Sequence, residues 1–562
     1  MTIILNERAD VPGPAVNEPR PERRRPPSGG GRSAGAGKTE PPGFLSAYPG
    51  YRNTTLLDRL RATEYSYLDA GGHVYLDYTG AGLPAKAQLD AHAERIRGRC
   101  FGNTHSENPS SAASTELIER ARLAVLAHLN APPEEYAVIF TPNATAACRL
   151  VGEAYPFGPR TRLVLTYDNH NSVNGIREFA RSRGAVTQYV PFSSPELRVD
   201  DDAIRQALAQ PRPGPLGAAL RVARSGVAPW AGRGRRAWRQ RSLAEGVVRD
   251  AGRPADALSS AAPRRRGLFA YPAQSNYSGV QHPLRWIETA HEHGYDVLLD
   301  AAAYLPANRL DLSVVKPDFV PISWYKLTGY PTGVGCLIAR REALGRLWRP
   351  WFAGGSVYLA SVQGDWHTLP PGQAGFEDGT LNFLQIPDLE SGLSWINGIG
   401  MDRIHQRVMC LTGWLIDRLT ALRHGNGEPM VRIYGPANSR DRGGTVAFNL
   451  LDPGGHVIDE RAVARATAAA GISIRTGCFC NPGAGEGAAQ LTKQAWRAAA
   501  RARPQTMDQY VDLLGLPSGG AIRASLGLAS NAADVERFAE FVETTYQDRV
   551  AGAGSLPPRQ GC

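Results

Sequence analysis

Between residues 137 and 339 short, mostly apolar runs alternate with stretches of helical composition, and this alternation limits the possible folds more than any other feature. The runs are 137–140, 163–167, 184–191, the first part of 267–279, 296–300, 318–322 and 336–339. Each has strand length and is bounded by glycine, proline or polar residues. Residues 115–129 before them read as a helix, with Leu117, Ala121, Ala124 and Val125 on one face. Strands alternating with helices predict an α/β domain on a mainly parallel sheet, with its site at the strand C-terminal ends.

The loops that follow these runs carry the chemistry. After 318–322 comes Ser323-Trp-Tyr-Lys326-Leu-Thr-Gly-Tyr-Pro-Thr-Gly-Val-Gly335. A lysine at a strand end, once partly desolvated, sheds its proton, and the free amine condenses with a carbonyl compound such as pyridoxal phosphate. A solvated surface lysine is the plainer alternative. Run 296–300 ends in Asp300, a carboxylate that is costly to bury without a cationic partner. A protonated pyridine nitrogen would serve, as would a local arginine or a helix N-terminus. His170 follows 163–167 and either lies against a cofactor ring or bonds its own loop. Residues 141–150 read as a turn opening a helix, whose free N–H groups suit a phosphate.

Composition narrows the class. The chain has 562 residues, 42% of them hydrophobic, and no run approaches the ~20 apolar residues of a membrane span. Its N-terminal apolar run is too short for a secretory signal, so a cytoplasmic protein is expected. Seven cysteines, at 100, 148, 336, 410, 478, 480 and 562, are too sparse for a disulfide framework. Cys478 and Cys480 are the close pair, but no other cysteine or histidine pair has metal-ligand spacing, so no metal is expected.

Residues 211–266 hold 13 arginines, no lysine and 3 acidic residues, which accounts for the whole net charge of +10. The rest of the chain is neutral. With Trp230 and Trp238 among the arginines this segment has the makings of a nucleic-acid site. A disordered insertion, or a stretch read in the wrong frame, is the favoured account. Residues 1–45, rich in Pro, Gly and Arg, are expected to be disordered. Within them Gly31-Arg-Ser-Ala-Gly-Ala-Gly-Lys-Thr39 resembles a P-loop, but its glycines are spaced wrongly and Pro41-Pro42 follow where a helix should run.

Several longer motifs resemble fold type I pyridoxal-phosphate (PLP) enzymes of the class V aminotransferase group, which includes cysteine desulfurases. They are Tyr75-Leu-Asp-Tyr-Thr-Gly-Ala-Gly82, Asp168-Asn-His-Asn-Ser-Val173, Tyr271-Pro-Ala-Gln-Ser-Asn-Tyr-Ser-Gly279, Asp300-Ala-Ala-Ala303, Tyr325-Lys-Leu-Thr-Gly-Tyr-Pro-Thr-Gly333, Phe376-Glu-Asp-Gly-Thr380 and Arg475-Thr-Gly-Cys-Phe-Cys-Asn-Pro-Gly483. The wording is most similar to the N-terminal domain of molybdenum cofactor sulfurases, over about 45–210 and 267–545. The resemblance implies a large domain with a mainly parallel seven-stranded sheet, 46–387, interrupted by 211–266. A smaller α+β domain, 388–549, and a tail, 550–562, would follow.

It also implies roles. Lys326 would hold PLP and move the substrate Cα proton, with Asp300 facing the pyridine nitrogen and His170 the ring. Thr145, Ala146 and Ser323 would hold the phosphate, with Thr332 reaching it from a second subunit of a homodimer. Asn276, Arg475 and Arg523 would bind the substrate carboxylate. Cys480, and not Cys478, matches the nucleophile, and an arginine nearby favours a thiolate. The expected reaction takes sulfur from L-cysteine, or a thioether amino acid, as a Cys480 persulfide and releases alanine, for an acceptor still to be identified. A PLP-dependent C–S lyase or other class V enzyme is the first alternative, and a silent or nucleic-acid-binding protein the second. Molybdenum cofactor sulfurases carry a further C-terminal module, and a third cysteine often follows Pro-Gly-Ala where this chain has Gly485. The chain ends at Cys562, so delivery to molybdenum is not expected.

Overall fold

The computed structural model describes residues 41–214, 265–552, 556 and 558–559. The P-loop-like stretch, nearly all of the expected leader and most of the arginine-rich segment lie outside the described residues, as does Cys562.

A seven-stranded sheet forms the frame, in the order Tyr136–Thr141, Gly335–Arg340, Phe319–Ser323, Tyr295–Asp300, Gly267–Pro272, Arg162–Thr166, Val186–Val190. The last five are mutually parallel, and Gly335–Arg340 runs antiparallel to both of its neighbours. Central strands such as Gly267–Pro272 and Tyr295–Asp300 are buried at every position, as expected where helices cover both faces. One covering helix, Ala144–Ala154, starts at Asn143, whose side chain accepts the Ala146 N–H.

A second, four-stranded antiparallel sheet has the order Val431–Tyr434, Thr445–Leu450, Ala521–Ser525, Arg475–Gly477. Residues near the N-terminus make several contacts with the C-terminal part of the chain. Strand Val74–Tyr75 pairs parallel with Ile472–Ser473, and Arg61 forms an ion pair with Asp534. Arg407, fully buried, bonds Tyr51, Thr54 and Asp58. Phe44, assigned by the sequence to the leader, is also fully buried, against Tyr51 and Trp414. At the other end Arg559, expected in a tail, bonds Asp459 and Asp508. Among the described residues no helix is long and apolar enough to cross a membrane.

Candidate active site

The C-terminal ends of the central strands open onto a cavity of about 420 Å3. Lys326 lines it, on the one-turn helix Tyr325–Thr328 that follows strand Phe319–Ser323. Gly329 ends that turn at φ 75°, where any side chain would collide with the backbone of Leu83 and Pro84. The Gly82 N–H donates to the Tyr325 carbonyl at 3.1 Å, so the 80–84 turn lies directly against the lysine loop. Burial, the largest influence, pulls the Lys326 ammonium below its ordinary value; Asp300 opposes the shift, and Arg523 and Arg475 add to it. The neutral, nucleophilic amine is favoured.

Asp300 ends strand Tyr295–Asp300 and is 8% exposed. Its Oδ1 accepts the Ala302 N–H at 3.0 Å, and it forms no ion pair among the described residues. His170 caps the helix Asn171–Asn174, with Nδ1 accepting the Ser172 N–H at 3.1 Å, which leaves Nε2 as the ring donor. Burial pulls its imidazolium below the ordinary value against the pull of Asp300.

At the helix Ala144–Ala154 end of the cavity, Ser323 Oγ accepts the Ala144 N–H at 3.0 Å and Thr145 Oγ1 lies 2.7 Å from Ser172 Oγ. Thr145, Ser323 and Thr332 all line the cavity, Thr332 within its own chain. Ala146 is not among the lining residues, and its N–H is held by its own cap, Asn143 Oδ1, at 2.9 Å; Ala144, two residues earlier, lines the cavity.

The residues expected to bind a carboxylate are already engaged. Arg475 holds Asp77 through Nε at 3.0 Å and Nη2 at 2.7 Å, and Arg523 Nη2 donates to the other Asp77 oxygen at 2.9 Å. Two adjacent guanidiniums repel, and Asp77 supplies the counter-charge. Arg523 is nearly fully buried, and desolvation pushes it down to about 10 even with Asp77 beside it. Gly80 closes over this group: a methyl there would stand 2.5 Å from Asp77 Oδ2 and 2.6 Å from Arg475 Nη2. Asn276 lines the cavity, but both ends of its amide serve the cysteine loop, with Nδ2 donating to the Phe479 carbonyl at 2.8 Å and Oδ1 accepting from Asn481 Nδ2 at 2.9 Å.

That loop is a tight turn closed by the Asn481 N–H on the Cys478 carbonyl at 3.0 Å. Phe479 and Cys480, at φ 54° and 53°, are both left-handed, a conformation that costs non-glycine residues about 1–2 kcal/mol each. The two Asn276 bonds hold it, together with Asn171 N–H to the Cys480 carbonyl at 2.7 Å and Asn481 Nδ2 to the Asp168 carbonyl at 2.7 Å. Cys480 is exposed, does not line the 420 Å3 cavity, and lies within electrostatic reach of Arg523. Sequence reasoning missed Asp77 and Asn481, although both sit inside motifs it singled out.

The family model described as aminotransferase class-V matches residues 74–212 and 247–538. Between these two ranges it omits 213–246, within the arginine-rich segment, and it resumes 20 residues before the insertion was expected to end. Molybdenum cofactor sulfurase of Solanum lycopersicum is 33% identical over 92% of this chain and 60% of its own length. For the Homo sapiens protein of that name the figures are 33%, 93% and 55%, so this chain spans little more than half of such relatives. Among solved structures, an apo cysteine desulfurase from Thermococcus onnurineus superposes with TM-score 0.64 at 21% identity, covering 87% of this chain and 98% of that one. The cysteine desulfurase CsdA of Escherichia coli gives 0.61 at 19%, with the same coverage. The match runs from the strand beside Asp77 to the last long helix, on both sides of the arginine-rich segment, and the chain belongs to the aminotransferase class-V family.

Proposed function

We propose that the chain is a PLP-dependent cysteine desulfurase, acting in the cytoplasm as a homodimer. The observation that carries this reading is one cavity holding a lysine amine biased towards neutrality and a buried carboxylate without an ion-pair partner among the described residues. These residues fit PLP: Lys326 to hold it, Asp300 for its pyridine nitrogen, His170 for its ring, and Thr145, Ser323 and the helix N-terminus at Ala144 for its phosphate. When bound, PLP supplies an electron sink for charge developing at the substrate Cα.

The residues do the rest. Arg523 and Arg475 orient the L-cysteine carboxylate near Asp77, and the Lys326 amine takes and returns the Cα proton. The Cys480 thiolate attacks the substrate sulfur, the C–S bond breaks with its electron pair going to carbon, and alanine leaves after protonation. Sulfur remains as a Cys480 persulfide. The dimer is supported by an exposed apolar stretch in which Trp348 is 59%, Tyr358 77% and Val362 100% exposed. The deciding experiment gives L-cysteine to PLP-loaded protein and quantifies alanine and pyruvate, with Cys480→Ala alongside. Alanine that depends on Cys480 is expected. Pyruvate independent of Cys480 would make the enzyme a C–S lyase instead.

A further inference from the structure

On the other side of the cysteine turn lies a second, larger cavity of about 800 Å3. Cys478 lines it, and Cys480 does not. The turn is therefore a wall with one thiol on the second cavity and the other on the side of Arg523. Phe479, 7% exposed, fills the space between, against Tyr277 at 5.1 Å and the Arg523 guanidinium at 4.8 Å. Two residues apart, the cysteine Cα atoms are separated by at most about 7 Å, close to the span across which two cysteine sulfurs can bond.

The second cavity combines aromatic walls with two unpartnered polar groups. Its walls include Tyr277, Tyr434, Trp496 and Tyr510. Asn449, 4% exposed, lines it with an Oδ1 that has no hydrogen-bond partner among the described residues, and the buried Nε1–H of Trp496 is likewise without one. An orphaned acceptor and an orphaned donor in one aromatic cavity are costly unless a ligand satisfies them. That pattern fits a flat, ring-bearing small molecule with its own donor and acceptor.

We propose that this cavity is the sulfur-acceptor site, and that Cys478 takes the sulfur from Cys480 and presents it there. The inference rests on the desulfurase reading above. The Cys478 thiolate attacks the outer sulfur of the Cys480 persulfide. A new S–S bond forms at Cys478, the old one breaks, and Cys480 leaves as a thiolate. The transferred sulfur keeps its hydrogen, and no external oxidant or reductant is consumed. A nucleophilic ring-bearing acceptor in the cavity then removes that sulfur and restores the Cys478 thiolate.

The test loads PLP-bound protein with 35S-labelled L-cysteine, quenches at intervals, and maps the added sulfur by mass spectrometry of non-reduced peptides. 6-Mercaptopurine serves as the acceptor probe. Label is expected first on Cys480 and then on Cys478, with transfer to the probe at least tenfold slower in Cys478→Ser. Gly485→Phe should slow it similarly, since Gly485 lines this cavity and a side chain there starts in open space. Label that stays on Cys480 in the wild type, with undiminished transfer in Cys478→Ser, would overturn the relay while leaving the desulfurase reading intact. Full transfer in Gly485→Phe would remove the cavity from the path. Absence of both alanine and label in the wild type would overturn the underlying reading itself.

Discussion

Arg475 and Arg523 converge on one carboxylate, and Asp77 is what allows two guanidiniums to stay adjacent with one of them buried. Removing it strands Arg523 without a counter-charge. Asp77→Ala should lower the unfolding free energy by about 3–5 kcal/mol, measured by urea denaturation, and a loss below about 1 kcal/mol would mean that water replaces the carboxylate. Lys326 gives a pH prediction. Its depressed value keeps the amine competent below the ordinary lysine value of about 10.4. PLP uptake by apoprotein should therefore begin to fall at a lower pH than it would for an ordinary amine, which loses roughly tenfold per unit below its value. Because the folded lysine releases its proton at a lower pH than the unfolded one, the unfolded chain binds more protons between the two values, so this group makes apoprotein stability rise with pH there and decline as pH falls through the folded value. That Lys326, Asp300 and His170 line one cavity was legible in the sequence because each stands at the end of an apolar run or within four residues of it. Asp77 was not, because Arg475 lies 398 positions away and nothing local gives the carboxylate a partner.

The cysteine turn shows what an element adds to its residues. Two left-handed non-glycine residues do not hold their shape unaided, and Asn481 joins the turn to both the Asp168 carbonyl and Asn276 while capping the helix Pro482–Ala488. Asn481→Ala should cost about 1 kcal/mol in cap stability and speed amide exchange across 478–484. Turnover on L-cysteine should drop on the order of 10–100-fold as the thiol loses its position. Unchanged exchange would show that the Asn171 and Asn276 bonds suffice. The seven main strands were readable to within a residue or two because apolar runs of strand length mark them. The antiparallel setting of Gly335–Arg340 was not, since strand direction depends on the path of the connection and not on the run itself. Nor was the engagement of Asn276 by the turn, a contact across 203 positions.

At the level of the whole molecule, the apolar stretch 348–366 should be covered by a second copy. The chain is 60.6 kDa, and sedimentation equilibrium should give twice that, reverting to one chain in a Tyr358→Glu, Leu359→Glu double variant. A wild type that sediments as a single chain would assign the patch to another partner. Phe44 and Arg61 find their partners, Trp414 and Asp534, far along the chain, contacts that no local pattern in the sequence announces. That arrangement has a consequence for synthesis. Asp77 leaves the ribosome 446 positions before Arg523, which at about 5–20 residues per second is an interval of roughly 20–90 seconds. For most of that time the nascent chain carries a carboxylate and a strand edge whose partners, Arg475 and Ile472–Ser473, do not yet exist either. The arginine pair beside the Lys326 cavity is thus among the last parts of the chain to be assembled, and a chain stalled before Ala521–Ser525 would contain Lys326 and Arg475 but not Arg523.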